Sequence, residues 1–141
     1  MFTMVFALTL FILSHVFLAQ ATPTPPDLGI PPVVWELVSY TEADGVPIEI
    51  VDPTRYTLQF QPDGQLLAKF DCNHGSGQYT ASDGVLTVSP MATTLILCPD
   101  DSQATPFQLL LDAATSYEID AEGFLLLHGD AGSLRFRTAL T

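Results

Sequence analysis

Positive charge is scarce in this chain: one lysine and three arginines stand against sixteen acidic residues in 141, a formal net charge of −12. Affinity for a nucleic-acid backbone comes from Lys and Arg displacing counterions, so this balance argues against a polyanionic partner. An anionic membrane surface would repel the chain for the same reason. Cysteine is equally sparse, with only Cys72 and Cys98, and neither lies in a short pair such as C-x2-C. Also missing are G-x-S-x-G, H-E-x-x-H, a lysine-bearing phosphate loop and the D-x-[DN]-x-[DN]-G calcium loop. No repeat recurs at a solenoid or propeller period.

What is present begins with an apolar run. Residues 1–21, MFTMVFALTLFILSHVFLAQA, carry no charged side chain and end in the small-x-small pattern Ala19-Gln20-Ala21. They are expected to be a cleaved export signal, although no Lys or Arg precedes the apolar core. The alternative is an N-terminal membrane anchor, for which Phe2 to Leu18 has about the minimum length. No cysteine follows the run to accept a lipid. Cleavage leaves a periplasmic or extracellular protein of one compact domain, too short for two hydrophobic cores and with no membrane span. Residues 22–32, TPTPPDLGIPP, hold five prolines in eleven positions and are expected to be an extended linker. The domain is assigned to residues 33–141.

Within the domain, Asp44-Gly45, Asp63-Gly64, Asp83-Gly84, Glu122-Gly123 and the GDAG of residues 129–132 punctuate short apolar segments. Asp-Gly favours tight hairpins because Gly takes positive φ without steric cost. The segments are VVWELVSY, VPIEIV, RYTLQF, QLLAKFD, GVLTVS, MATTLIL, YEID, FLLLHG and SLRFRTA. In RYTLQF, Tyr56, Leu58 and Phe60 share one face; in SLRFRTA, Leu134 and Phe136 do, with Arg135 and Arg137 opposite. The fold class is therefore mainly β (α+β): an antiparallel meander curled into a small open barrel, since curling reduces exposed strand edges. One α-helix is expected over 105–115, where Phe107, Leu110, Leu111 and Ala114 recur at helical spacing, with Thr105 as N-cap and Pro106 in the first turn.

Chemistry concentrates in FDCNHGSGQY, residues 70–79. Two cysteines 26 positions apart in an exported protein are most simply read as one disulfide, Cys72–Cys98, because the destination is oxidising. The catalytic alternative makes Cys72 a nucleophile, with His74 or His128 as base and Asp71 or Asp130 as orienter. It lacks the electropositive setting that a reactive thiol needs. Cys72, His74, His128 and Cys98 match a transition metal by ligand type alone, and Asp100, Asp101 and Asp130 match calcium no better; a solvated loop accounts for these aspartates. Gly75 and Gly77 are read as a bulge, bend or close backbone approach, with Asn73 tolerating positive φ. Trp35 is placed in the core or at a barrel end. In Met91-Ala92-Thr93-Thr94, alternate residues are expected to enter the core while the threonines face water. No catalytic residue, cofactor or metal is assigned.

Several of these residues together resemble the META-domain (HslJ-like) family of small exported or envelope-attached bacterial proteins. The resemblance rests on Trp35-Glu36-Leu37, on Cys72-Asn73 followed by Gly77-Gln78-Tyr79, and on PMATTLILC from Pro90 to Cys98. Phe107, Leu110-Leu111, Tyr117, Leu125 to Leu127 and Leu134-Arg135-Phe136 extend it. Asn73, Gly77, Tyr79, Met91, Ala92, Thr93 and Thr94 are its family-motif positions. The family commonly has Gly before the Cys-Asn pair and a bulky apolar residue soon after, where this chain has Asp71 and Gly75. The resemblance implies a sheet-rich barrel with one helix, and a non-enzymatic accessory role in envelope maintenance or stress tolerance. The partner is then an envelope or secreted protein. The alternative is a carrier of a small apolar ligand or lipid, which requires that Leu66, Leu95, Leu97, Leu110, Leu111, Leu125 and Leu127 line a void.

Overall fold

The structure, a computed structural model, describes residues 29–140. The expected export signal lies outside the described residues, as do residues 22–28 of the proline-rich stretch. Among the described residues, ten strands and one α-helix follow in order, with a short 3-10 turn at Pro53–Arg55: β1 (Val34–Glu42), β2 (Ile48–Glu49), β3 (Tyr56–Phe60), β4 (Gln65–Phe70), β5 (Asn73–Ser82), β6 (Val85–Val88), β7 (Ala92–Thr93), α1 (Ala104–Asp112), β8 (Ala114–Ile119), β9 (Leu125–Gly129) and β10 (Gly132–Thr138). Eight of these strands pair antiparallel into a ring, β1-β3-β4-β5-β6-β8-β9-β10, which β10 closes against β1 from Trp35↔Thr138 to Glu42↔Gly132. The expected curled meander is thus a closed barrel. Closure gives both β1 and β10 a partner on each side, which satisfies edges that an open sheet would expose.

Alternation sets the inward face. Tyr56, Leu58 and Phe60 of β3, Leu66, Ala68 and Phe70 of β4, Leu125 and Leu127 of β9, and Leu134 and Phe136 of β10 are all buried in one cluster. Arg135 and Arg137 face outward and reach Asp120 and Glu36. Trp35 is buried in the same cluster and donates its indole N–H to the Pro31 carbonyl at 3.2 Å. Ile30 also joins the core, so the folded unit reaches back into residues 29–32, which the proline count assigns to a linker. The apolar side chain of Ile30 there outweighs the prolines around it.

Turn chemistry explains the hairpins. Between β5 and β6, Asp83 and Gly84 both have positive φ, 51° and 80°, as a two-residue type I′ turn requires. Gly132 begins β10 at φ 142°, and a Cβ there would run into the carbonyl oxygen of Thr41 and lie 2.9 Å from Glu42 Cα. Those are backbone atoms of β1 that cannot step aside, so this glycine lets the barrel close. Gly132→Ala is expected to cost about 1–3 kcal/mol, through strained φ and a forced β1–β10 separation. Urea unfolding would check this.

The helix starts one residue earlier than expected and ends three residues sooner. Thr105 lies inside the first turn, and Gln103 stands at the cap without a side-chain capping bond. Tertiary contacts fix this start in place of a local cap: Gln103 N–H donates to Tyr56 Oη (2.9 Å), Tyr40 O–H donates to Gln103 Oε1 (2.7 Å), and Ser102 Oγ accepts from Ala104 N–H (3.3 Å). Phe107, Leu110 and Leu111 face the barrel interior, whereas Ala114 already belongs to β8.

Two segments depart further from expectation. The longest strand, β5, runs unbroken through the Asn73-to-Gly77 stretch, so of the bulge, bend or close backbone approach expected there only a close approach is found, made mainly by side chains. It pairs with β4 from Phe70↔Asn73 to Gln65↔Gln78 without a register shift. Its glycines make room for side chains: a Cβ on Gly75 would lie 2.9 Å from both Phe70 Cε2 and Thr93 Cγ2, and one on Gly77 would lie 3.1 Å from Met91 Cγ. MATTLIL, expected as a strand, is a strand only at Ala92–Thr93.

Candidate functional site: a disulfide-pinned segment

Between β7 and α1 the chain leaves the barrel wall and is pinned back onto the start of β5. Cys72 and Cys98 form a disulfide with Cα atoms 5.5 Å apart, which joins the β4–β5 turn to the end of MATTLIL. Asn73 binds the intervening chain through both ends of its amide. Its Nδ2 donates to the Ile96 carbonyl (2.9 Å), and its Oδ1 accepts from Ile96 N–H (2.7 Å) and from the Thr94 hydroxyl (2.9 Å). The Thr94 hydroxyl in turn accepts from His74 N–H (3.0 Å), and Thr94 N–H donates to the His74 carbonyl (3.0 Å). An amide side chain here replaces a missing strand, offering Ile96 the donor and acceptor that a backbone ladder would.

A second fastening lies beside the first. Arg55 donates from Nε and Nη2 to the two carboxylate oxygens of Asp71, both at 2.8 Å, and from Nη1 and Nη2 to Asp101 at 2.9 and 3.1 Å. Asp71 holds positive φ (60°) and donates its own N–H to the Arg55 carbonyl at 2.7 Å. Hydrogen bonding to Arg55 pulls both carboxyls below the ordinary aspartate range and raises the guanidinium further still. Two fork-to-fork pairs on one guanidinium are geometrically specific as well as charge-assisted. The turn before β5 and the turn before α1 are therefore joined twice, covalently and by Arg55.

Asp71 contributes native stability that is present above the unfolded aspartate value of about 4 and is lost as pH falls through its lower folded value. Asp71→Asn keeps a side chain that tolerates positive φ but removes the charge. It is expected to lower the melting temperature by about 2–5 °C at pH 7. The gap to the wild type should close as the pH is taken below 4, which melting curves between pH 7 and 3 would show.

Of the candidate aspartates, Asp100 and Asp130 are exposed, as a solvated loop requires, whereas Asp101 is ion-paired with Arg55. Cys72 and Cys98 are paired with each other, so neither serves as a thiol nucleophile in this state. Asp71 engages Arg55 and does not orient a base, and it carries the positive φ that the sequence reading gave to Asn73. His74 is exposed on the outer wall, while His128 sits three strands away in the ring, on β9, 3.4 Å from Glu118. Tyr79 is buried, edge-on to Phe60 with ring centroids 4.9 Å apart, and donates its hydroxyl to the Gln61 carbonyl. Met91 packs on the core, Thr93 is half-buried against the Gly75 position, Ala92 and Thr94 are exposed, and Gly77 lies beneath Met91. Thr93 and Thr94 therefore divide between the wall and the fastening rather than both facing water. Among the described residues, no group of three or more His, Cys, Asp or Glu side chains is arranged to hold a metal ion, and no helix is long and apolar enough to cross a membrane.

Arg55 is the residue that sequence reasoning missed. Its partners lie 16 and 46 positions away, and the only hint is the rarity of arginine in so acidic a chain. The other surprise is exposure: Leu95 is 94% exposed, Ile96 61% and Leu97 98%.

Fold and site together define a small, closed, antiparallel barrel that is plugged by one helix and carries a disulfide-pinned surface segment. The chain belongs to the META-domain family, whose profile matches residues 30–140. Two solved structures share the fold. A protein from Burkholderia xenovorans, solved by NMR, superimposes with a TM-score of 0.63 at 19% identity, over 92% of this chain and 100% of that one. A crystal structure of a DUF4847 family protein from Bacteroides vulgatus ATCC 8482 gives 0.58 at 17% identity, over 78% and 94%. No functionally curated protein matches the chain significantly.

Proposed function

We propose that this is an exported, non-enzymatic META-domain protein that serves the cell envelope as an accessory or stress-tolerance factor and works through protein contacts. The observation that carries this reading is the Cys72–Cys98 disulfide, with the apolar segment it holds outside the barrel. A disulfide belongs to an oxidising compartment, and an exposed apolar segment fastened at both ends is a contact surface more than a catalytic one. Of the groups a thiol mechanism would use, Cys72 is tied up in the disulfide and Asp71 by Arg55, while the alternative base His74 and orienter Asp130 are exposed.

Fractionation of the native host with N-terminal sequencing tests the first half. The reading expects a mature chain beginning at Thr22, outside the cytoplasm, without free thiols. A deletion strain tests the second half, with increased sensitivity to envelope-damaging agents reversed by the wild-type chain and less well by Cys72→Ser. A cytoplasmic, reduced protein would overturn the reading. The carrier alternative is less well supported, because Leu66, Leu110, Leu111, Leu125 and Leu127 pack in the core while Leu95 and Leu97 are outside it. A stoichiometric lipid in native mass spectrometry would revive it.

A further inference from the structure

Past β7, the segment from Thr94 to Leu97 is not a regular strand, yet it is hydrogen-bonded to β5 on one side. The N–H of Thr94 is bound by the His74 carbonyl, and both backbone groups of Ile96 are bound by the Asn73 amide, all on the β5 side. An extended chain points the backbone groups of successive residues to opposite sides, which leaves those of Leu95 and Leu97 free to face away from β5. Among the described residues, neither leucine makes a backbone hydrogen bond. Their side chains, two positions apart, are almost wholly exposed, which is the combination that edge strands ordinarily avoid by placing charge or proline there. This edge is held in place: the disulfide, the Asn73 amide and the Arg55 clasp surround it.

We infer that this edge receives an extended strand of a partner protein whose apolar residues alternate with lysine or arginine. Main-chain hydrogen bonds to Leu95 and Leu97 would supply the pairing, and their side chains would meet the partner's apolar residues. Charge selects the cationic partner. The chain carries −12, Asp100 and Asp101 follow within four residues, and the nearby Arg55 is already committed to Asp71 and Asp101. A second copy would bring the same −12 and be repelled, whereas a cationic strand is steered in. The inference rests on the contact-mediated reading above and specifies the surface and the chemistry of its partner.

The test uses isotope-labelled, oxidised protein and three capped hexapeptides: one alternating valine and lysine, one with glutamate in place of lysine, and one with lysine but N-methylated at alternate amides. The lysine peptide is expected to give saturable shifts at the Leu95 and Leu97 amides and little at Ile96, whose N–H already has a partner. The glutamate and N-methylated peptides should bind at least about tenfold more weakly, as should the lysine peptide to a Leu95→Ser/Leu97→Ser variant whose other resonances are unchanged. Absence of shifts at millimolar lysine peptide overturns the inference, as does equal binding of the glutamate or N-methylated peptide. A concentration-dependent dimer that buries Leu95 and Leu97 without peptide also overturns it, by assigning the edge to a second copy. The assay needs neither export nor a host factor, so its failure removes this edge alone, while a failed fractionation removes the functional reading alone.

Discussion

Replacing both cysteines, Cys72→Ser with Cys98→Ser, is expected to lower the melting temperature by roughly 10–15 °C. Closing a loop of this span removes conformational freedom from the unfolded chain worth about 3.5 kcal/mol in the loop-entropy account, and a domain of this size shifts by about 4 °C per kcal/mol. That is a large share of the roughly 5–15 kcal/mol that holds a small domain together. The effect should also have a local signature. In the oxidised protein the Ile96 N–H is bound to Asn73 Oδ1 within a segment anchored at its far end by Cys98. Without the bond, Asn73 and Arg55 must hold residues 94–101 alone, so the Ile96 amide should exchange faster by more than the global loss of stability explains. Calorimetry with and without reductant, together with hydrogen exchange at Ile96, would measure both. An unchanged melting temperature would mean that the hydrogen bonds and the Arg55 clasp suffice, and the disulfide would then lose its place as the main fastening.

How legible was this in the sequence? Strands with one apolar and one polar residue in turn declared themselves: RYTLQF and SLRFRTA bury the residues their period selects. Strand β5 did not. Its inward positions include Gly75, Gly77, Tyr79 and Ala81, and two of the four are glycines because Phe70, Thr93 and Met91 occupy the space where their side chains would stand. A core position filled from its neighbours carries no apolar signal of its own, so period-two alternation was invisible just where the family motif lies. MATTLIL failed in the opposite sense. Leu95 and Leu97 group with the core leucines by composition, yet they lie outside, because the disulfide and Asn73 fasten this segment along the outside of the start of β5. Local chemistry cannot predict that outcome, since it depends on a bond to residues more than twenty positions back. The helix start was misplaced for a related reason: Tyr56 and Tyr40, from two different strands, hold Gln103, where a local rule looks for a threonine.

The other large effect is expected at the plug. Phe107 is completely buried and meets three rings, with centroids 5.0 Å from Phe70, 5.9 Å from Phe136 and 6.3 Å from Tyr56. These rings come from β4, β10 and the start of β3, so one helical side chain ties together strands from different parts of the barrel. Phe107→Ala should cost about 3–5 kcal/mol, combining lost burial with a cavity whose walls cannot collapse because they belong to a closed sheet. Phe107→Leu, which restores most of the volume, should cost about 1.5 kcal/mol or less. On the outer face of the same helix, Leu109 is 63% exposed, and Leu109→Ala should stay within about 0.5 kcal/mol of the wild type. Guanidinium unfolding of the three variants separates core packing from helix propensity, because all three substitutions leave the helix its ordinary backbone. If Phe107→Ala and Leu109→Ala shift the midpoint equally, the helix is a lid resting on a barrel stable without it. The expected separation of several kcal/mol makes the helix part of the core on which the disulfide-pinned segment is built.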